Sequence, residues 1–233
     1  MKESYLRGTD EALDYWTKRR GAGDFAQKSL AAFNIAQTTY RTDALFRAIH
    51  FMEKSGLDVE RAQVLDIGSG QGMGLYPFLL TGFTVSQLHG IEQQEARVQV
   101  GKEVLPILDI QRGDAAHLPY EAESFDIVSE QFCFCHIPDE TIKPKIAGEM
   151  LRVLRPGGFA MILDWRFRSP RHQIYGLGVR RIQELFGLPV VGRFPAQLWP
   201  QVGRPLSQYM PSLYPLARRI PFLTGSWITL LKK

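Results

Sequence analysis

The stretch VLDIGSGQGMG, residues 64 to 74, decides the fold. Three apolar residues and one acid run directly into four glycines within seven positions. A short apolar run that ends this way predicts a buried strand entering a loop, where the backbone approaches a ligand that a Cβ would block. Dinucleotide loops ask for glycine at the first, third and sixth positions. Gly68 and Gly70 satisfy the first two, but Met73 stands at the sixth. The ligand has to be read from the rest of the chain.

Outward from this loop, short apolar runs alternate with amphipathic stretches from Arg61 onward, the pattern of βαβ units and a parallel sheet. Predicted strands are QVLDIG (63–68), LHGIE (88–92), ILDIQRG (107–113), FDIVSE (125–130) and GFAMILDW (158–165). MGLYPFLLTG, QEARVQVGKEVL and KIAGEMLRVL supply crossover helices, and RPGG (155–158) suits a tight turn before the fifth strand. Residues 10 to 56 read as helices, with Leu45, Ile49 and Met52 at helical spacing and Gly56 as a stop. Past Trp165 the pattern predicts a helix VRRIQELFG, an extended PVVGRF, a proline-punctuated stretch to Pro221 and a final strand within FLTGSWITLLKK.

The chain has 233 residues, 45% hydrophobic and 22% charged, ordinary values for one globular domain. There is no apolar stretch of membrane-spanning length, and the first residues lack the apolar core of a signal peptide, so an intracellular protein is expected. Cys133 and Cys135 are the only cysteines. Two residues apart, with no second Cys or His pair, they predict buried thiols rather than a disulfide framework or a metal site. Charge is uneven: residues 166–233 hold 11 Lys and Arg against one acid, Glu184, while residues 1–165 hold 17 against 23. That distribution suggests an anionic partner; the alternative is a solvated face whose arginines pair with the acidic first part.

Glu92, ending the second strand, suits the ribose hydroxyls of either a dinucleotide or an adenosyl cofactor. Asp114, in RGDAAHLPYEAESFDIV, stands just beyond the third strand, where an acid accepts the amino hydrogens of adenine. The glycine loop also lies more than 60 residues in, with no room for a separate hydride-acceptor domain. With these motifs in this order over about residues 60–165, the chain resembles the class I S-adenosylmethionine-dependent methyltransferases, in their bacterial small-molecule branch. The resemblance implies an α/β fold: a Rossmann-like seven-stranded methyltransferase sheet, mostly parallel with an antiparallel last strand, helices on both faces and an N-terminal helical cap. It implies a single domain over 1–233, with the cap at 1–60, the cofactor-binding half at 61–165 and a basic substrate-side segment with the terminal strand at 166–233.

The resemblance further implies S-adenosyl-L-methionine as cofactor and S-adenosyl-L-homocysteine as product. By position, Asp66, Gly68, Ser69, Gly70 and Gly72 would line the methionine part and ribose, with Glu92 and Gln93 at the ribose diol. Asp66 has two compatible readings, a cap on the amides of the glycine turn and a partner for the cofactor ammonium. Asp114 and Ala115 would meet adenine, and Glu130, Gln131 and Phe132 would end the fourth strand beside the methyl donor. Tyr15 and Trp16 resemble cap aromatics that close over the cofactor; packing on the sheet edge is the other reading. No metal is implied.

Methyl transfer from a sulfonium needs orientation and exclusion of water more than acid–base groups. For a hydroxyl acceptor, His136 in FCFCHIPDE is the leading base, with a loop-fixing role as its rival. Asp164 and Trp165 at the end of the fifth strand are the next candidates, Asp164 to orient a hydroxyl and Trp165 to stack. SEQF after the fourth strand lacks the motif of base and glutamine methylation, which disfavours nucleic acid. The expected acceptor is small, or a lipid- or sugar-linked end, methylated at oxygen. N- or C-methylation, a non-catalytic adenosyl-binding module and, less favoured, a nicotinamide-dependent reductase stay as alternatives. Leu206, Met210, Leu213, Ala217 and Ile220 recur near helical spacing among arginines, which suggests peripheral contact with an anionic membrane, although Pro211 and Pro215 would interrupt a helix.

Overall fold

The computed structural model describes residues 32–169 and 174–233. Seven strands form one sheet: β1 (Val64–Ile67), β2 (Leu88–Glu92), β3 (Asp109–Arg112), β4 (Phe125–Gln131), β5 (Leu154–Trp165), β8 (Val190–Leu198) and β9 (Thr224–Lys232). Their spatial order is β3-β2-β1-β4-β5-β9-β8, parallel except that β9 inserts antiparallel between β5 and β8. The order reverses beside β1, so the crevice over its C-terminal end is the topological switch point where α/β sheets bind ligands. A small hairpin, β6 (Arg168–Ser169) with β7 (Ile174–Tyr175), follows β5.

The strands are apolar runs because both faces of the sheet are covered. On one face, α1 (Ala32–Lys54) lays Leu45, Ala48, Ile49 and Met52 against Phe159, Met161, Leu163, Ile228 and Leu230. On the other, α4 (Lys143–Val153) contributes Ile146, Ala147, Met150 and Val153, one stripe of a 3.6-residue period, against Ala160, Ile162 and Leu231. Here too α5 (Val179–Phe186) buries Ile182 and Phe186, one turn apart, and Gly187 ends it at φ 62. The crossover α3 (Glu95–Val104) buries Val98 and Gly101.

Three expectations change. The helix expected over 73–82 shrinks to one turn, α2 (Tyr76–Leu79), because the glycine loop runs on to Gly74 and Gly82 turns at φ 101. RPGG does not precede the fifth strand but bulges within it: Leu154 pairs with Phe125 and Phe159 with Ile127, while Gly157 N–H donates to the Lys233 carbonyl at 2.8 Å. Finally, the periodic stretch after β8 is cut at its prolines into α6 (Pro200–Tyr209), a 3-10 turn, α7 (Tyr214–Ala217) and another 3-10 turn at Pro221–Leu223. Residues 10–31 of the expected helices, Tyr15 and Trp16 among them, and His172 lie outside the described residues.

Candidate active site at the C-terminal edge of the sheet

The glycine loop leaves β1 at Ile67 and takes left-handed backbone at Gly68 (φ 67), Gly70 (φ 59) and Gly72 (φ 83). Two of these glycines answer different needs. A Cβ on Gly72 would lie 2.5 Å from Ile110 Cδ1, so it is glycine for packing against the sheet. Among the described residues a Cβ on Gly70 would meet only Arg97 Nη1, at 3.8 Å, so this glycine keeps a space open above the loop. Ser69 is buried and donates its N–H to the Ile91 carbonyl at 3.0 Å, and its Oγ has no hydrogen-bond partner among the described residues.

Glu92 ends β2 under this loop, 6% exposed. Its Oε2 accepts the Gly70 N–H at 2.9 Å and its Oε1 the Gln94 N–H at 2.9 Å, with Arg97 Nη1 at 3.8 Å. The half-buried Gln93 sits between them in sequence. Each carboxylate oxygen keeps a second lone pair, the pair of acceptors that a vicinal diol requires. The group that caps the glycine turn is therefore Glu92. The sequence suggested Asp66 for that part, but Asp66 lies in β1, and an alternating strand directs it to a different set of partners.

Those partners are Ser129 Oγ, which donates to Asp66 Oδ1 at 2.6 Å, and the Gln131 side chain, which also donates Nε2 to the Gly74 carbonyl at 2.9 Å. Burial raises the Asp66 carboxyl to about 7, against the opposing pull of Ser129, Gln131 and the Arg41 guanidinium. Arg41 comes from α1; its own pKa is lowered by burial, and Asp66 partly offsets this. Arg41, Arg97 and Ser129 were not singled out in the sequence. Arg41 lies in α1 at no motif position, and only the folded helix brings its charge to β1.

At the tip of β4, Glu130 is fully buried, and its Oε2 accepts the N–H groups of Cys133 (2.9 Å) and Phe134 (3.2 Å). It fastens the loop that follows. Burial and the neighbouring Asp164 push its carboxyl well above the usual range. Phe132 has φ 60, a left-handed conformation unusual for an aromatic residue; its N–H donates to the Leu163 carbonyl at 2.8 Å, and its ring lies 5.6 Å from that of Trp165. Phe134 is core, 6.3 Å from Phe186. His136 closes a 3-10 turn over Phe134–His136 and is half-buried. Cys135 is buried and Cys133 half-buried; burial raises both thiols well above their usual range.

Asp164, near the end of β5, is 3% exposed, and its Oδ1 accepts the Trp165 N–H at 2.7 Å. Burial raises it to about 7, with Cys135 and the fully buried Lys143 acting in the opposite sense. On the other side of the loop, Asp114 Oδ1 accepts the Ala116 N–H at 2.9 Å and Oδ2 lies 3.0 Å from His117 Nδ1, which orders the turn carrying Ala115.

Of the basic tail, Arg218 is buried and pairs with Asp43 of α1, donating also to the carbonyls of Tyr40 (2.9 Å) and Pro195 (2.8 Å). Arg168 and Arg181 reach Glu140, and Arg180 reaches Glu184. Arg166, Arg193 and Arg204 lie over the rings of Trp199, Trp227 and Phe33. Part of the tail thus does pair with the acidic first part of the chain, and part is free of that duty.

An adenosyl cofactor fits this edge: Gly70 leaves a cradle that a Cβ would fill, Glu92 offers two acceptors beside it, and the Ser69 hydroxyl is buried with no partner among the described residues. The comparisons agree with the geometry. A methyltransferase-domain family matches residues 65–162. Phthiotriol/phenolphthiotriol dimycocerosates methyltransferase of Mycobacterium tuberculosis is 35% identical over 120 residues, 47% of this chain and 40% of that enzyme. Demethylmenaquinone methyltransferase of Staphylococcus aureus is 30% identical over 130 residues, 54% of this chain and 53% of that enzyme. The chain thus spans about half, or less, of the length of these curated relatives. Among solved structures, a Thermotoga maritima S-adenosylmethionine-dependent methyltransferase superposes with a TM-score of 0.60 at 16% identity, over 93% of this chain and 98% of that one. A Pyrococcus horikoshii protein gives a TM-score of 0.61 at 14% identity, over 88% and 94%. Residues 65–162 thus match a methyltransferase domain, and the sheet has the fold of the S-adenosylmethionine-dependent methyltransferase on which the chain superposes.

Proposed function

We propose that the chain transfers a methyl group from S-adenosylmethionine to a hydroxyl oxygen of a small or lipid-linked acceptor. The observation that supports the donor half is Glu92, buried under the glycine loop, each of whose oxygens accepts one backbone N–H and has a further lone pair to offer a diol. Gly68, Ser69, Gly70 and Gly72 form the cradle below the methionine and ribose, with Gln93 beside Glu92. Asp66 faces the ammonium and Arg41 the carboxylate of the methionine end. Asp114 and Ala115 flank the adenine. The sulfonium supplies an already activated methyl group. What remains for the protein is to hold the acceptor oxygen in line and keep water out.

Gln131 and Phe132 end β4 against the donor, and Glu130 fixes the loop behind them. From that loop, His136 takes the hydroxyl proton as general base. Asp164 acts through Trp165, holding the end of β5 so that the indole forms an acceptor wall. An apolar acceptor is supported by the aromatic run from Phe132 through Trp165 and Phe167 to Trp199, with centroid separations of 5.6, 5.4 and 4.7 Å. It is supported also by relatives named for phthiotriol dimycocerosates and demethylmenaquinone.

Incubation with methyl-labelled S-adenosylmethionine and a panel of alcohols, phenols, quinols, lipids and sugar phosphates tests the reading. Labelled O-methyl product is the expected result, with activity lost in His136→Ala. Tight NADH binding in a chain that does not bind S-adenosylhomocysteine would overturn it.

A further inference from the structure

The segment between β8 and β9 turns large apolar side chains outward. Tyr209 is 71% exposed, Phe222 70% and Leu216 58%, and Met210, Leu213 and Ile220 are also exposed. Prolines fold this run into short helices and turns, so the side chains form a crest rather than one helical stripe. Residues 199–223 contain Arg204, Arg218 and Arg219 and neither Asp nor Glu. Arg218 is buried against Asp43, which leaves Arg204 and Arg219 on the surface with the apolar groups. Exposed apolar side chains interleaved only with cations complement a surface that is greasy inside and anionic at its face.

The crest is joined to the site. Trp199 Nε1 donates to the Phe222 carbonyl at 2.8 Å, and Trp199 is the outer ring of the aromatic run that begins at Phe132. Arg166 lies over the Trp199 ring at 5.3 Å and donates to the same carbonyl at 3.3 Å.

We propose that this crest docks on an anionic lipid bilayer and that the acceptor is drawn from that bilayer along the aromatic run. The second clause rests on the methyl-transfer reading; the first does not. Arginines meet the headgroup phosphates while Tyr209, Leu216 and Phe222 enter the acyl boundary.

Flotation of the full chain with extruded vesicles tests this, comparing phosphatidylcholine alone with phosphatidylcholine mixed with phosphatidylglycerol. The expected result is flotation with the mixed vesicles and a loss of about tenfold or more in partition for the double variant Leu216→Glu, Phe222→Glu, the scale set by withdrawing two large apolar groups. Far-ultraviolet circular dichroism and S-adenosylhomocysteine binding of that variant should match the parent, which separates docking from folding. Absence of flotation, or equal flotation with both vesicles, overturns the proposal. So does a homodimer, seen by analytical ultracentrifugation, that the double variant dissolves while vesicles are ignored. Flotation by a chain that fails to bind S-adenosylhomocysteine keeps the docking surface and defeats the methyl-transfer reading with its acceptor clause.

Discussion

Replacing Glu92 by glutamine separates a loop brace from a ribose site. The carboxylate offers about four lone-pair positions, and the Gly70 and Gln94 amides occupy one on each oxygen at 2.9 Å. Glutamine keeps the shape but supplies one carbonyl, so one of the two amides is left facing an NH2 group. A hydrogen bond to a charged acceptor contributes roughly 1.5–3 kcal/mol, and that is the expected loss of stability in chemical denaturation. The diol suffers separately: one hydroxyl keeps an acceptor, and the other loses it to a donor. A comparable loss of about 1.4–3 kcal/mol in ligand affinity, roughly tenfold to 150-fold in Kd, is expected for S-adenosylhomocysteine by isothermal titration calorimetry. Affinity within about twofold of the parent, alongside the expected stability loss, would show that Glu92 only braces the loop and would refute the ribose assignment.

Gly72→Ala and Gly70→Ala should part company: the first puts a Cβ 2.5 Å from buried Ile110 and should lower stability by about 2–4 kcal/mol. The second meets nothing closer than 3.8 Å, so it should lower stability by only about 1–2 kcal/mol while removing most S-adenosylhomocysteine binding, as denaturation and calorimetry would show. Arg218→Met strands the Asp43 carboxylate and the Tyr40 and Pro195 carbonyls; a loss of about 3 kcal/mol, roughly 6–12 °C in Tm, is expected in a thermal melt. Asp66 and Asp164 are held near 7, above an unfolded value of roughly 3.9, so the fold keeps protons that the unfolded chain releases. Their stabilising contribution is whole below about pH 4 and is lost as pH rises through about 7; Asp66→Asn should flatten the decline in unligated protein, measured by urea denaturation across that range.

The parallel core was legible because strands buried on both faces leave uninterrupted apolar runs, and each of the first five strands overlaps its expected range, β5 beginning four residues early at Leu154. Glu92 was legible for a related reason: an acid at the end of such a run is conspicuous. Asp66 was legible as a residue with two readings, and only the turn cap passes to Glu92, since a four-residue strand does not announce which way its third side chain points. The crossover after the glycine loop was overextended because Leu75, Leu79 and Leu80 look helical, whereas Gly74 and Gly82 confine regular structure to a single turn. Arg41 left no signal, and Arg218 showed only as one of the tail arginines that could pair with the acidic first part. One arginine among many on an amphipathic helix or a basic tail looks solvated, and only tertiary packing buries it against Asp66 or Asp43.

The two ends of the candidate site carry different ionisable groups, buried acids at one and exposed arginines at the other. Asp66, Glu92, Glu130 and Asp164 crowd the C-terminal ends of β1, β2, β4 and β5, all nearly or fully buried. Asp66 and Asp164 are poorly compensated: Arg41 opposes the rise at Asp66 and Lys143 that at Asp164, yet burial still dominates at both. An electrically neutral ligand would leave that imbalance in place. A ligand with an ammonium and a sulfonium would relieve it, because positive charge beside a buried acid favours its ionised form. The exposed crest reverses the arrangement, carrying arginines without acids where an anionic surface would supply the missing charge. On the proposed reading, donor and acceptor would approach from distinct sides and meet along the aromatic run from Phe132 to Trp199.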